Sequence, residues 1–303
     1  MPLSKKDIQA LIAEFVGMMM FVYTGVGTAH MAVRHNPFGI AALTGQVNFA
    51  LASAPLLTIS LAFGLGITVF AYGTAGYSGG HLNPAVTTSL MILGEITPML
   101  GGLYILAQTL GACVGAIWAA LGDPNTAGFA LNVIGQYECT RGTTKENLAC
   151  REDHWEFPTA SGAAAGRARM WGPAIAVELM GTFMLVMTVC WTAVSKKSVA
   201  GNCAPIAIGL SVFFAHLTCI PVTNCSINPA RAFGAAVAGS FFTFDDAAYD
   251  DTSPRVADAW RHMWFFWVIP MLGGALAALT YKFGFAEIVD RPAASVEMKK
   301  GTN

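Results

Sequence analysis

Long apolar stretches separated by short polar segments dominate the pattern of this chain. Six stretches are long enough to cross about 30 Å of hydrocarbon as helices, at residues 8–33, 54–77, 98–121, 171–195, 204–222 and 262–282. Within them the only acidic residues are Glu14 and Glu178. The pattern predicts an all-α membrane protein with six transmembrane helices.

Composition agrees with a lipid environment. The chain is 54% hydrophobic and 12% charged, whereas soluble domains carry about 25% charged residues. The net charge of −1 and the lack of long basic runs argue against a nucleic-acid partner. The first stretch follows Lys5 and Lys6, as a signal peptide would, but its length and its internal Glu14 favour an uncleaved first span.

A shorter apolar stretch begins at an Asn-Pro-Ala triplet and has a counterpart later in the chain. "HLNPAVT" at 81–87 matches "SINPARA" at 226–232, and "AEFVGMM" at 13–19 matches "VELMGTF" at 177–183. Each copy contains three spans, an odd number, so the second copy enters the membrane from the opposite side. The sequence therefore predicts an inverted repeat with a pseudo-two-fold axis in the membrane plane.

The Asn-Pro-Ala triplets predict two half-helices that meet inside the bundle. They consist of Asn83, Pro84 and Ala85, and of Asn228, Pro229 and Ala230. Asn suits the N-cap, and Pro suits the first helical position. The run from Pro84 to Gly94 spans roughly 16 Å, about half a bilayer. Irregular backbone before each triplet, at 79–82 and 224–227, is tolerated at membrane depth only inside protein or along a water-filled cavity, so we predict a pore.

Two roles are open to the glutamates within the spans. An ionisable residue in a span is first a functional hypothesis, and a proton relay is one such role. The symmetric placement of Glu14 and Glu178 favours instead a structural role, in which each accepts hydrogen bonds from N–H groups of the irregular loops.

These residues and motifs resemble the aquaporin (major intrinsic protein) family over roughly residues 8–285. The resemblance implies a homotetramer of right-handed six-span bundles in the lipid bilayer, each protomer with its own pore, passing water or small neutral solutes without a cofactor or metal. Residues 1–122 would form the first repeat, 123–170 a long extracellular connection, 171–290 the second repeat and 291–303 a cytoplasmic tail.

The resemblance also implies a constriction made of an aromatic residue, a histidine, a small residue and an arginine. The matching positions are Phe63, His216, Cys225 and Arg231. Glycerol-conducting members typically have Trp and Gly in place of the Phe and His, and Asp where this chain has Ala236. The set predicts a water-selective pore. A histidine on an apolar span is by itself more often a core residue, and the other three positions favour the pore reading here.

Backbone carbonyls of the two irregular loops are the predicted acceptors along the pore. They belong to Gly79, Gly80, His81, Asn224, Cys225 and Ser226. The amides of Asn83 and Asn228 are the predicted donors at the midplane. The side chain of His81 is either a vestibule residue or a support for its loop. Arg231 and the positive helix ends would repel cations, including hydronium.

Besides Cys225 of the predicted constriction, the remaining six of the seven cysteines fall into three groups. Cys113, Cys190 and Cys219 lie in apolar spans and are most simply small core residues. Cys203 has no evident role. Cys139 and Cys150 lie in the long connection, where a local disulfide, two free thiols or links between subunits would fit. No Cys-x-x-Cys pair supports a zinc site.

Lysines near the span ends predict a cytoplasmic face for both termini and a multi-pass protein, with the plasma membrane favoured. Channels for peroxide, ammonia, carbon dioxide or glycerol remain alternatives, as does a secondary transporter. An enzyme is not expected, since the sequence offers His216 no obvious orienting carboxylate. The sequence gives no role for the acidic stretch 244–260 and no gating device.

Overall fold

Six long helices and two half-helices form the bundle. The computed structural model describes residues 3–34, 49–122, 130–134, 136–141, 148–156, 167–169, 171–242 and 256–286. The first repeat contains α1 (Lys5–Arg34), α2 (Phe49–Ser78), the half-helix α3 (Pro84–Leu93) and α4 (Pro98–Gly122). The second contains α5 (Trp171–Val189), α6 (Ala204–Thr223), the half-helix α7 (Pro229–Phe242) and α8 (Val256–Thr280). The six long helices have the length and hydropathy of membrane spans, so the predicted fold class is confirmed.

Two of the long helices continue into wider turns. A π-helical turn, Cys190–Val194, extends α5, and another, Tyr281–Ala286, extends α8. A short 3₁₀ turn, Gly201–Cys203, precedes α6. With its π-helical turn, α5 covers the predicted span 171–195 up to Val194, and α8 with its turn covers 262–282.

The two repeats interlock through their half-helices. The half-helix α3 packs on α8, the last span of the second repeat, and α7 packs on α4, the last span of the first. The contacts within each repeat also match. In the first repeat α1 packs on α2 and α4, and in the second α5 packs on α6 and α8. Neither half-helix could therefore sit in its place without the other repeat.

Glycines stand where the helix axes come closest. A Cβ on Gly111 or Gly115 of α4 would strike the α1 backbone at Phe15 or Met19, and one on Gly273 of α8 would strike the α5 backbone at Leu179. The absence of side chains lets these backbones approach directly, as small residues do between membrane helices. The equivalent crossings in the two repeats thus have the same cause.

The half-helix α3 begins and ends as its sequence predicts. Asn83 is extended and its Oδ1 accepts a hydrogen bond from Ala85 N at 2.8 Å, with Pro84 at the first helical position. Gly94 ends the helix in the left-handed conformation, with φ 82°. Because a left-handed residue directs the chain away from the helix axis, α3 stops after about three turns and the chain returns to begin α4.

The described part of the connection between the repeats contains three strands, which were not predicted. They are β1 (Gln136–Arg141), β2 (Leu148–Glu156) and β3 (Arg167–Arg169), in the order β2-β1-β3 with antiparallel pairing. Their polar composition gave no alternating pattern from which a strand could be inferred. The membrane part of the fold is unaffected by them.

Candidate functional site: a pore between the half-helices

Glu14 of α1 holds the irregular loop of the first repeat. Its carboxylate accepts hydrogen bonds from the backbone N–H groups of His81 (2.9 Å) and Leu82 (2.8 Å), and from the hydroxyl of Ser78 (2.6 Å). The amide of Gln108 on α4 donates to the same carboxylate at 2.7 Å. A buried carboxylate surrounded by donors is the arrangement in which its charge costs least.

Glu178 of α5 makes the matching contacts in the second repeat. It accepts from the backbone N–H groups of Ser226 and Ile227, both at 2.7 Å, and from the hydroxyl of Thr223 at 2.6 Å. Both glutamates are fully buried. These bonds accompany positive φ angles in the loops, at Leu82 (48°) and Ile227 (42°) among others.

The two Asn-Pro-Ala triplets are joined by reciprocal hydrogen bonds. Asn83 Nδ2 donates to the carbonyl of Ile227 at 2.9 Å, and Asn228 Nδ2 donates to the carbonyl of Leu82 at 2.9 Å. Each side-chain oxygen also caps its own half-helix, Asn228 Oδ1 accepting from Arg231 N at 3.2 Å. The positive N-termini of α3 and α7 are thereby held next to each other.

Phe63, His216 and Arg231 converge at one level of the bundle. The rings of Phe63 and His216 stack with centroids 4.3 Å apart and planes 19° apart, and the Arg231 guanidinium carbon lies 5.0 Å from the Phe63 ring centre. All three residues are at most 1% exposed. The two stacked rings are in van der Waals contact, so no molecule passes between them.

Two polar atoms at this level have no hydrogen-bond partner among the described residues. His216 is fixed by a hydrogen bond between Nδ1 and the carbonyl of Val212 at 2.9 Å, which leaves Nε2 unpartnered among the described residues. Arg231 Nε is likewise unpartnered within that part of the chain. Buried polar atoms are normally hydrogen-bonded, so these two are the groups available to a passing molecule.

A cavity of about 260 Å³ extends from this constriction past the two triplets. It includes Phe63, His216 and Arg231, then Asn83 and Asn228, and reaches Glu95 and Val194. Of the predicted carbonyl-bearing residues, four line it: Gly79, Gly80, His81 and Ser226. Much of the remaining wall is apolar, with Phe21, Ile67, Val86, Leu90, Leu185 and Val189. Such a wall holds few polar groups that could bind a solute and slow its passage.

Comparison with known proteins decides the family. The major intrinsic protein family matches residues 3–281. Aquaporin-1 of Canis lupus familiaris is 33% identical over 279 residues, covering 91% of this chain and 81% of the relative. Aquaporin PIP2-5 of Oryza sativa subsp. japonica is 34% identical over 278 residues, covering 90% and 82%.

The chain belongs to the major intrinsic protein (aquaporin) family. It is accordingly a multi-pass integral membrane protein of a channel family. A solved aquaglyceroporin from Plasmodium falciparum has the same fold, with a TM-score of 0.64 over 94% of this chain and 99% of that one. At 17% identity that likeness concerns the fold alone.

His81 contacts both the pore and the supporting helices of this aquaporin. Its Nδ1 lies 3.2 Å from the hydroxyl of Thr87, and its ring packs edge-on against Tyr104 with centroids 5.1 Å apart. It also lines the cavity. The two roles considered for His81 are therefore compatible with each other.

Three residues of the site were not predicted from the sequence. Gln108 bridges Glu14 and the hydroxyl of Thr87, Glu95 borders the cavity at the end opposite Arg231, and Asn132 contacts the Arg231 guanidinium. Gln108 and Asn132 could have been noticed as polar residues within the mainly apolar sequences "AQTLG" and "ALNVI". Neither residue belongs to the repeated motifs, so the repeat did not point to them.

Five cysteines lie in the described helices and turns as free thiols, at Cys113, Cys190, Cys203, Cys219 and Cys225. Cys225 and Cys219 are fully buried, and Cys219 Sγ donates to the carbonyl of Val177 at 3.2 Å. In the connection, the antiparallel register sets Cys139 opposite Cys150. Within the described ranges, no three His, Cys, Asp or Glu side chains gather as a metal site would need.

Parts of other predictions fall outside the described residues. These are most of the acidic stretch 244–260, much of the connection 123–170 and the tail 291–303.

Proposed function

We propose that this aquaporin is a passive water channel that selects by size at Phe63, His216, Cys225 and Arg231. The observation that carries the proposal is the convergence of a stacked Phe63–His216 pair with a buried arginine whose Nε has no partner among the described residues. A molecule at that level contacts the aromatic rings on one side and a few hydrogen-bond donors on the other. Water can exchange hydrogen bonds with such donors, whereas a wider solute meets the rings.

Exclusion of cations follows from the charge of the same region. The described hydrogen-bond partners of Arg231 are neutral oxygens, so its positive charge stays uncompensated by a direct ion pair. The N-termini of α3 and α7 add partial positive charge where the triplets meet. A cation would lose hydration there without an anionic replacement. We therefore include hydronium among the excluded species.

The asparagines have the orienting role in this proposal. One N–H of each amide is used by the opposite loop, at Ile227 or Leu82, and an amide group has two N–H donors. The second N–H of Asn83 is the donor proposed for water at the midplane. That of Asn228 lies 4.0 Å from Met18 Sδ, a weak acceptor that water would replace. Glu14 and Glu178 act structurally by holding the loop backbones rather than by carrying protons.

The proposed assembly and location follow the family resemblance. We infer a homotetramer in the plasma membrane with cytoplasmic termini. Large apolar side chains on the outer faces, such as Leu65, Val69 and Trp118, are more than half exposed in the single chain and suit lipid or a neighbouring subunit. Light scattering of the detergent-solubilised protein tests the tetramer, and labelling of either terminus in sealed cells tests the orientation.

We also infer a disulfide between Cys139 and Cys150. Facing positions on antiparallel neighbours lie close enough for a cross-strand contact, and the register places these two cysteines opposite each other. Mass spectrometry after alkylation without reductant should find both unmodified and linked. Alkylation of both would contradict the bond.

Osmotic shrinkage of proteoliposomes tests the channel proposal. Vesicles holding the protein should shrink faster than empty vesicles under an impermeant solute, and sodium or pH gradients should not alter the rate. Dependence on either gradient would favour a coupled transporter. Shrinkage no faster than in empty vesicles would contradict the proposal.

A further inference from the structure

A short buried segment from the connection between the repeats reaches the constriction. Residues 130–134 follow α4, and all five are at most 1% exposed. Leu131 and Val133 pack with Ala236 of α7 and Ala259 of α8. The segment is therefore anchored by apolar contacts on one side, and it presents polar groups to the site on the other.

Asn132 in this segment uses both ends of its amide. Its Nδ2 donates to the carbonyls of Thr223 (3.2 Å) and Asn224 (3.1 Å), where α6 ends. Its Oδ1 accepts a hydrogen bond from Arg231 Nη1. The side chain thus bridges the irregular loop of the second repeat and the guanidinium of the constriction.

The other hydrogen bonds of the Arg231 guanidinium also go to neutral oxygens. Nη1 donates also to the carbonyl of Ala130 at 2.9 Å, and Nη2 donates to the carbonyl of Asn224 at 3.3 Å. The reciprocal bond from Asn224 Nδ2 to the carbonyl of Leu131, at 3.1 Å, ties the loop to the segment. Both terminal nitrogens are held, and Nε is left for the pore.

The chemistry of the position requires a neutral side chain with a donor and an acceptor. Two carbonyls face one end of the residue and a cation faces the other. Aspartate would satisfy Arg231 but would set a carboxylate against two carbonyl oxygens, and it would neutralise the charge of the constriction. Alanine would satisfy neither. An amide meets both demands.

We propose that Asn132 is a positioning residue of the filter, which fixes the Arg231 guanidinium without compensating its charge. This inference rests on the proposed function, and it assigns selectivity to a segment outside the two repeats. Asn132 itself need not touch the permeating molecule, because it acts through Arg231. It makes the connection between the repeats part of the pore.

The test compares Asn132→Asp and Asn132→Ala with Val133→Ala in proteoliposomes. Val133→Ala loosens the same segment by apolar contacts alone and leaves the amide in place. The readouts are proton flux from an internal pH dye under a clamped potential and glycerol entry by light scattering, each divided by water flux in the same vesicles. A purely structural role would lower all fluxes together and leave these ratios unchanged.

Asn132→Asp should raise the ratio of proton to water flux about tenfold or more, because it pairs the charge that forms the barrier. Asn132→Ala should raise the ratio of glycerol to water flux, because the guanidinium is free to move aside. Val133→Ala should keep both ratios. Unchanged ratios in both Asn132 variants, or equal shifts in Val133→Ala, would overturn the inference.

Two further measurements cover the cases in which a variant does not fold or the wild type does not conduct water. If either Asn132 variant fails to fold by size-exclusion chromatography, Asn132→Ser, which keeps one hydroxyl donor and acceptor, should show an intermediate shift in the same ratios; wild-type ratios there would overturn the inference. The wild-type protein separates the two proposals. Wild type without water flux contradicts the proposed function, whereas a selective wild type with unaltered Asn132 variants contradicts only the positioning role.

Discussion

The imidazole of His216 stacks on the ring of Phe63, with centroids 4.3 Å apart and planes inclined by 19°. The stack joins α6 of the second repeat to α2 of the first at the level of Arg231. A hydrogen bond from His216 to the carbonyl of Val212 fixes the imidazole. The width of the pore at this level therefore depends on a side chain that cannot swing away freely.

Removal of the imidazole should widen the pore. In His216→Ala, space opens beside Phe63, and the ratio of glycerol to water flux should increase about tenfold, the size of effect expected when a few methylene-sized groups set a limit. Light scattering under a glycerol gradient measures it. Phe214→Ala is the control, since Phe214 on the same helix is 54% exposed and faces outward; an equal gain there would refute the assignment.

The buried glutamates should matter for stability rather than for proton movement. Glu178→Gln replaces one acceptor oxygen by an NH2 group beside the N–H groups of Ser226 and Ile227. We expect a loss of about 1–3 kcal/mol of unfolding free energy, seen as a lower melting temperature in detergent, and a similar loss in Glu14→Gln.

The exposed Glu95 supplies the control for this pair, because Glu95→Gln should leave the melting temperature unchanged. Water flux per folded channel should not vary with pH in any of the three variants. A pH dependence that disappears in Glu178→Gln would instead support the proton relay.

The loop before the first triplet should tolerate no side chain at Gly80. Its φ is +66°, and a Cβ there would lie 2.9 Å from the carbonyl oxygen of Ala71 and 3.1 Å from its Cα. Gly80→Ala should cost about 1–3 kcal/mol. Gly102→Ala is the matched change, because Gly102 lies in α4 with open space around it, and alanine there should stabilise by up to about 1 kcal/mol. Equal melting temperatures for the two variants would contradict this account.

Cys225 should make the channel sensitive to mercurials. A mercury adduct on its thiol would obstruct the constriction, so water flux should fall in the wild type and be restored when an excess of a small thiol takes up the mercury. Cys225→Ser should keep its flux and lose the block, while Cys219→Ser, which changes a second buried thiol on α6, should stay sensitive. Block that persists in Cys225→Ser would place the reactive thiol elsewhere.

The membrane architecture was predictable because the repeat carries it in local patterns. The half-helix predicted from Pro84 to Gly94 is observed as Pro84–Leu93, since cap, proline and terminal glycine are all encoded at its ends. The last span begins earlier than hydropathy suggested, at Val256 instead of residue 262. Its first turns contain Asp258 and Arg261, which pair at 3.1 Å. A hydropathy window gives no signal for such a charged helical start.

The positioning contacts were not predictable, because they join residues far apart in the chain. Asn132 and Arg231 are separated by 99 positions, and Gln108 and Glu14 by 94. No local periodicity brings such pairs together; only the folded bundle does. The same applies to the pairing of Asn83 with Ile227, which depends on both repeats being in place.

The most direct test of water selectivity measures water and glycerol in the same proteoliposomes by stopped-flow light scattering. The Phe63–His216 stack and the cradled Arg231 predict rapid shrinkage under an impermeant solute, and glycerol entry no faster than in vesicles without protein. Glycerol entry at a rate comparable to that of water would contradict the assignment of these residues as the constriction.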